Sequence, residues 1–260
     1  MAELTNDDLA LLAKRFTELA NRSYNSGIYT FTDFLGLAEQ DVFRKMESKL
    51  PPRVGVTLFG GAEGAERVMV RFGNAEELGY ELPFPIVPLL IRPKAVKFAE
   101  RLTHRDVLGA LMHLGIERCM LGDIVLSEES KRIFVFASES IADFVCENLT
   151  CIRNTTVTAE KTEEAAIEGP LFRTESLVVK AMSERLDGII AKVYQLSREE
   201  ASTLFAKSLV FVEGRAITTP SYQPKKGERV SVRTYGRFIY NGYLSDTKKG
   251  KMNLEVLKYV

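Results

Sequence analysis

Apolar residues recur along the chain in two periods, and the switches between those periods mark the elements. Leu9, Leu12, Phe16 and Leu19 fall on one helical stripe behind Thr5 and Asp8 at capping-box spacing. They predict an N-terminal helix broken around Gly27, within 24–29. Val42, Phe43, Met46 and Leu50 repeat the helical spacing and predict a second helix over 39–50, which Pro51-Pro52 stops. Segments 54–59 and 67–72 then read as two strands joined by the loop GGAEGAER.

From residue 83 the pattern predicts a strand (83–92), a helix (HRDVLGALMHLG), strands over 118–126 and 133–137, a helix (141–149) and a last strand (153–159). This βαββαβ order predicts an RRM-like, ferredoxin-like plait, with two helices on one face of a four-stranded sheet. Phe134 and Phe136 alternate with Ile133 and Val135, so the sheet buries either set. RNA-reading plaits display such aromatics for base stacking, but core packing is the preferred reading. An acidic linker begins at Lys161, runs through Gly169-Pro170 and leads into a strand over 171–179.

In the last quarter, Leu186, Ile189, Ile190 and Val193 form one stripe, and Ser197 with Glu200 caps a second helix. Val210, Val212, Ala216 and Ile217 alternate around Glu213-Gly214, where glycine supplies a hairpin turn. A second turn, Lys225-Lys226-Gly227-Glu228, enters a strand with Val230 and Val232, and 241–260 reads as one more hairpin. The fold class expected is α+β in three units: an N-terminal helical and hairpin region (1–82), the plait (83–160), and a terminal module (183–260) behind a linker and lead-in strand (161–182).

Composition narrows the class. With 260 residues, 45 % hydrophobic and 27 % charged, the chain has the make-up of an ordinary globular protein of two or three domains. No stretch approaches the roughly 20 apolar residues of a membrane helix, and acids stand where a secretory signal has bases, so the expected location is the cytoplasm and no membrane partner is expected. Cys119, Cys146 and Cys151 are too few and too irregular for a disulfide framework or a zinc cluster. No metal, other cofactor or small-molecule substrate is expected.

Charge changes the picture more. From Arg185 onward there are fourteen Lys and Arg against seven Asp and Glu, net +7, while residues 1–184 carry −7, so the neutral total conceals a dipolar chain. A cationic module gains affinity for a nucleic-acid backbone through counterion release. Two other clusters invite chemistry. GGAEGAER lacks the lysine and hydroxyl of a nucleotide loop and reads as a hairpin. His104 and Asp106 sit within one turn, but Thr103 and Asp106 have capping-box spacing, and side chains two apart on a helix do not face each other. No catalytic residue is assigned, although His104 and Arg105 at a helix N-terminus suit a secondary phosphate contact.

Arg185-Leu186-Asp187, Ser197-Arg198 with Ala201, the strand ending at Gly214, Pro220-Ser221-Tyr222 and Gly227-Glu228 resemble the S-four (αL-type) RNA-binding domain. That family usually has glycine where this chain has Ser208 and asparagine where it has Glu213. The resemblance implies RNA-backbone contacts at Arg185, Arg198, Lys207 and Arg215. Lys225, Lys226, Arg229, Arg233 and Arg237 are added on charge alone. The helical stretch LTHRDVLGALMHLGIERCMLGDI, together with GGAEGAER, is similar to the YlmH family of bacterial S-four proteins over nearly the whole chain. This second resemblance implies a non-enzymatic protein that binds rRNA or tRNA on the large ribosomal subunit, in quality control of stalled complexes carrying peptidyl-tRNA. The alternative is an RNA-modifying enzyme, a pseudouridine synthase or rRNA methyltransferase, targeted by the same module. Against it, Asp187 lies inside the module itself, and the strand over 83–92 is followed by Pro93-Lys94-Ala95 rather than a glycine-rich cofactor loop.

Overall fold

The computed structural model describes residues 6–127, 131–163, 172–247 and 250–260. Thr5, Lys248, Lys249 and the 164–171 part of the expected linker and strand lie outside the described residues. The protein is a mixed α+β chain, and it divides into two compact units, Met1–Leu171 and Phe172–Val260.

In the first unit, α1 (Asn6–Ser26) carries the predicted stripe, reaches two residues past the expected break at Tyr24, and stops before Gly27. Helix α2 (Leu37–Met46) passes into a 3-10 turn (Glu47–Lys49), so the predicted second helix is shorter and tighter at its end. Phe16 and Phe43 meet edge to face across the two helices, with ring centroids 5.4 Å apart. They rest on a small antiparallel sheet of β1 (Thr30–Phe31), β2 (Val56–Phe59) and β3 (Met69–Phe72), in the order β1-β3-β2. One further helical turn, α3 (Ala75–Leu78), was not foreseen; its single turn is fixed by Asn74, whose side chain accepts from the Glu76 amide at 2.9 Å.

The rest of this unit runs β4 (Ile86–Pro93), α4 (His104–His113), β5 (Leu121–Ser127), β6 (Arg132–Ser138), α5 (Glu139–Asn148), β7 (Cys151–Ile152) and β8 (Thr155–Lys161). Its sheet has the antiparallel order β5-β6-β4-β8-β7. Both helices lie on one face, where Val107 and Leu111 of α4 and Ala142 and Val145 of α5 pack with Leu89, Ile91 and Val135 of the sheet. The predicted cap is formed: the Thr103 hydroxyl accepts from the Asp106 amide at 3.3 Å, and the Asp106 carboxylate accepts from the Thr103 amide at 2.8 Å.

Strand β6 buries both of its alternating sets. Ile133 and Val135 face the helices, while Phe134 and Phe136 are 5 % and 0 % exposed on the opposite side. Phe136 is covered by the GGAEGAER loop: a Cβ on Gly61, whose φ is +96°, would lie 2.3 Å from its ring. Packing against another element of the same unit therefore removes this pair as a surface for stacking bases.

In the second unit, β9 (Thr174–Ala181), α6 (Leu186–Val193), α7 (Arg198–Ala206), β10 (Val210–Val212), β11 (Arg215–Ala216), β12 (Arg229–Val232), β13 (Gly236–Asp246) and β14 (Met252–Tyr259) follow in order. The strands form one antiparallel sheet, β11-β10-β12-β13-β14-β9. Its inner face, with Val210, Val230, Phe238 and Val256, closes on Leu186, Ile189 and Ile190 of α6 and Phe205 of α7. Each such fully buried side chain contributes about 1.5–3 kcal/mol relative to exposure. The Ser197/Glu200 box is formed at 3.1 and 2.7 Å.

Candidate nucleic-acid interface

The N-termini of α6 and α7 are fixed by local bonds, and those bonds set the cations there. The first amides of α6 are taken up by a loop: Leu186 N–H donates to the Tyr222 carbonyl at 2.8 Å and Asp187 N–H to that of Pro220 at 3.1 Å. Asp187 is held inside, its side chain 4 % exposed, and accepts a two-pronged contact from Arg185 at 3.1 and 2.9 Å. Arg198, at the start of α7, approaches the same carboxylate at 3.6 Å while 72 % of its side chain stays exposed. Burial pushes the Asp187 carboxyl up, but the bonds from Arg185 and the Gly188 amide, with the charges of Arg185 and Arg198, outweigh burial and hold it below the ordinary carboxylate range. Two guanidiniums thus share one buried anion, which leaves a net positive charge and outward N–H groups held in place.

The neighbouring turns add to this corner. The Tyr222 hydroxyl donates to Glu228 at 3.0 Å, and Glu228 also accepts from the Lys225 amide at 2.8 Å, which ties down the loop carrying Lys225 and Lys226. Burial, then the bond to Glu228, raises the Tyr222 hydroxyl above its ordinary value, and the charge of Arg215 works in the opposite sense, so Arg215 stands near the same loop. Lys207, Arg215, Lys225 and Lys226 are exposed. Lys207 closes α7, a helix of nine residues, and so stands roughly 13 Å from Arg198.

The resemblance named four cations and charge alone added five, but the structure does not gather all nine on one face. Strand alternation separates them: Val230, Val232, Phe238 and Tyr240 face the helices, so Arg229 and Arg237 point the other way. Arg229 is tied to Glu213, whose carboxylate accepts its amide at 2.6 Å and stands 3.5 Å from its guanidinium. Arg233 lies over Phe211, 5.5 Å from the ring centroid, and Arg237 lies between Tyr259 and Phe172, at 4.3 and 4.5 Å. Arg185 and Arg198 are brought together by Asp187, and Arg215 stands near Tyr222, whose carbonyl takes up the first amide of α6.

The two positions where the chain departs from the S-four pattern are both left-handed. Ser208 has φ +52° and Glu213 φ +47°. Glycine and asparagine are the residues that adopt this region most readily, so backbone shape explains the family's preference. Glu213 offsets part of the strain through its bonds to Arg229.

In the first unit, His104 and Arg105 are exposed at the start of α4. Desolvation, then the charge of Arg118, lowers the His104 imidazole below its ordinary value. Arg105 borders a shallow 560 Å³ cleft that also takes in His113, Thr150 and Arg153. Sequence reasoning missed Arg153, which is held over this cleft by its own left-handed turn (φ +52°) and by Asp106 at 3.6 Å. The pattern places Arg153 at the start of a strand over 153–159, but it stands in the turn between β7, of two residues, and β8, of seven, and a two-residue strand leaves little trace in the hydrophobic pattern.

The glycine-rich loop does meet an anion, and that anion belongs to the chain. The Glu66 and Arg67 amides donate to the Asp123 carboxylate at 2.6 and 3.2 Å. The Arg67 side chain, 9 % exposed, donates to the carbonyls of Leu121, Phe34 and Arg118 at 2.8, 2.9 and 3.2 Å. The loop and the Arg118 to Asp123 segment are therefore two halves of one structural junction. Among the described residues no group of three or more His, Cys, Asp or Glu is placed to hold a metal, and no helix is long and apolar enough to cross a membrane.

Residues 87–166 match the family model described as "Putative RNA-binding domain in YlmH". The central sheet with α4 and α5 thus corresponds to a domain of the RNA-binding class. The chain is also 31 % identical over 227 residues, 85 % of its own length and 83 % of the relative's, to the ribosome-associated protein quality control protein P2 of Bacillus subtilis (strain 168). The chain belongs to the YlmH family. A solved structure, the cell division protein ylmH from Streptococcus pneumoniae, aligns with a TM-score of 0.48 at 19 % identity, over 64 % of this chain and 96 % of that one.

Proposed function

We propose that this chain is a non-enzymatic RNA-binding protein of the cytoplasm that engages structured rRNA or tRNA on the large ribosomal subunit, in quality control of stalled complexes carrying peptidyl-tRNA. The observation that carries the reading is the corner where Arg185 and Arg198 share the buried Asp187, with Arg215 and the exposed Lys225 and Lys226 on the turns beside it. Guanidiniums held by an internal carboxylate lose little freedom on meeting phosphate, and phosphate contacts position a protein on RNA without reading its sequence. Support for the ribosome as partner comes from the Bacillus subtilis relative, a ribosome-associated protein quality control protein.

Within this reading the chain works as three parts: the helical and hairpin region, an RRM-like plait, and the S-four module that makes the primary contact. Lys207 extends that contact along α7, and His104 and Arg105 give a secondary one, in which Arg105 carries the permanent charge. Arg229, Arg233 and Arg237 belong to the opposite face of the sheet. The enzyme alternative gains nothing from the geometry: Asp106 serves the α4 cap and Asp187 serves two arginines.

The test is co-sedimentation with large ribosomal subunits. Arg198→Glu with Lys207→Glu, both exposed, is expected to reduce binding at least tenfold while the thermal melting point stays within a few degrees of wild type. Unchanged co-sedimentation moves the contact away from α7.

A further inference from the structure

At the turn between β12 and β13 the chain places Arg233, Tyr235 and Arg237 at alternate positions. Thr234 and Gly236 both have positive φ, +72° and +120°, so the backbone reverses sharply and pushes Tyr235 outward, 42 % exposed. The ring is nevertheless anchored. It lies 5.6 Å from Tyr194 at the end of α6, and Tyr194 in turn lies 6.3 Å from Phe238, which is fully buried. Lys258 approaches the Tyr194 ring to 5.5 Å, and Arg237 is held between Tyr259 and Phe172 at the same end of the sheet.

A tyrosine backed by a second ring, open to solvent and with a lysine against that second ring, has the composition of a stacking platform for single-stranded nucleic acid, where bases stack and the backbone meets positive charge. The cation selects the occupant. It repels a methylated ammonium group, which aromatic cages take, and it adds nothing for an uncharged proline-rich peptide. An unpaired nucleobase uses both the ring and the charge. A lone exposed tyrosine at a hairpin tip carries no such meaning; its anchoring on Tyr194 and the lysine against that ring give it one.

We propose that Tyr235, backed by Tyr194 with Lys258 against that second ring, stacks an unpaired base of the bound RNA, so that the module prefers RNA with a bulge or loop over continuous duplex. This rests on the RNA-binding reading above but uses a different part of the module, since duplex backbone contact involves Arg198 and Lys207 and not Tyr235.

The experiment compares binding of the full chain to a continuous RNA duplex and to the same duplex with one bulged 2-aminopurine, followed by anisotropy and by the fluorescence of the bulged base. Wild type is expected to bind the bulged RNA about tenfold more tightly and to change the fluorescence of that base. Tyr235→Ala removes both effects and leaves duplex affinity unchanged, whereas Tyr235→Phe keeps them. The inference is overturned if wild type binds the two RNAs equally, if Tyr235→Ala keeps the preference, or if it weakens both RNAs alike. Absence of binding to either RNA overturns the RNA-binding reading together with this inference, whereas loss of duplex binding confined to Arg198→Glu leaves the stacking result to stand by itself.

Discussion

Ser208 shows how one residue records a compromise between backbone and side chain. A left-handed residue other than glycine carries a penalty of about 1–2 kcal/mol, and glycine in its place gives back about 0.5–1 kcal/mol through the unfolded state. Ser208 is exposed with φ +52°, so Ser208→Gly is expected to stabilise the protein by about 0.5–1 kcal/mol, read as a raised urea midpoint at unchanged slope. A lowered midpoint would show that the serine side chain makes up for its backbone. Glu213 is a different case: its carboxylate holds Arg229, so the same change there removes bonds as well as strain.

At the scale of elements, what was legible in the sequence was local. Of the three capping boxes expected from residues three apart, Thr103 with Asp106 and Ser197 with Glu200 are formed, and Thr5 of the third lies outside the described residues. The stripes of α1 and α6 and the alternation of β6 and β12 were equally readable. Contacts between distant segments were not. Nothing in the pattern says that Asp123 accepts the amides of Glu66 and Arg67, 57 and 56 positions away, or that the loop beside them covers Phe136. The separation of Arg229 and Arg237 from the helix corner depends on register, which a run of cations does not reveal. Gly61 tests this junction. With φ +96° and the Phe136 ring 2.3 Å from where a Cβ would lie, Gly61→Ala combines overpacking with backbone strain and is expected to cost about 3 kcal/mol in thermal or urea unfolding. A cost under about 0.5 kcal/mol would mean that the loop does not seal the sheet.

For the whole molecule, the uneven charge is the feature that any function must use. Residues 1–184 carry −7 and the tail +7, so the excess of positive charge that attracts a polyanion lies at one end of the sequence, and the acidic part discourages indiscriminate binding. The structure refines this: the cations of the tail serve two faces, and those on the helix side are Arg185, Arg198, Lys207, Arg215, Lys225 and Lys226. Phosphate contact by those six sets how strongly salt must weaken binding. The most direct measurement is the affinity of the full chain for a structured RNA between about 50 and 300 mM salt. Six neutralised phosphates predict a slope of about −5 in log affinity against log salt concentration. A slope near zero would contradict a grip on the RNA backbone by the cationic tail.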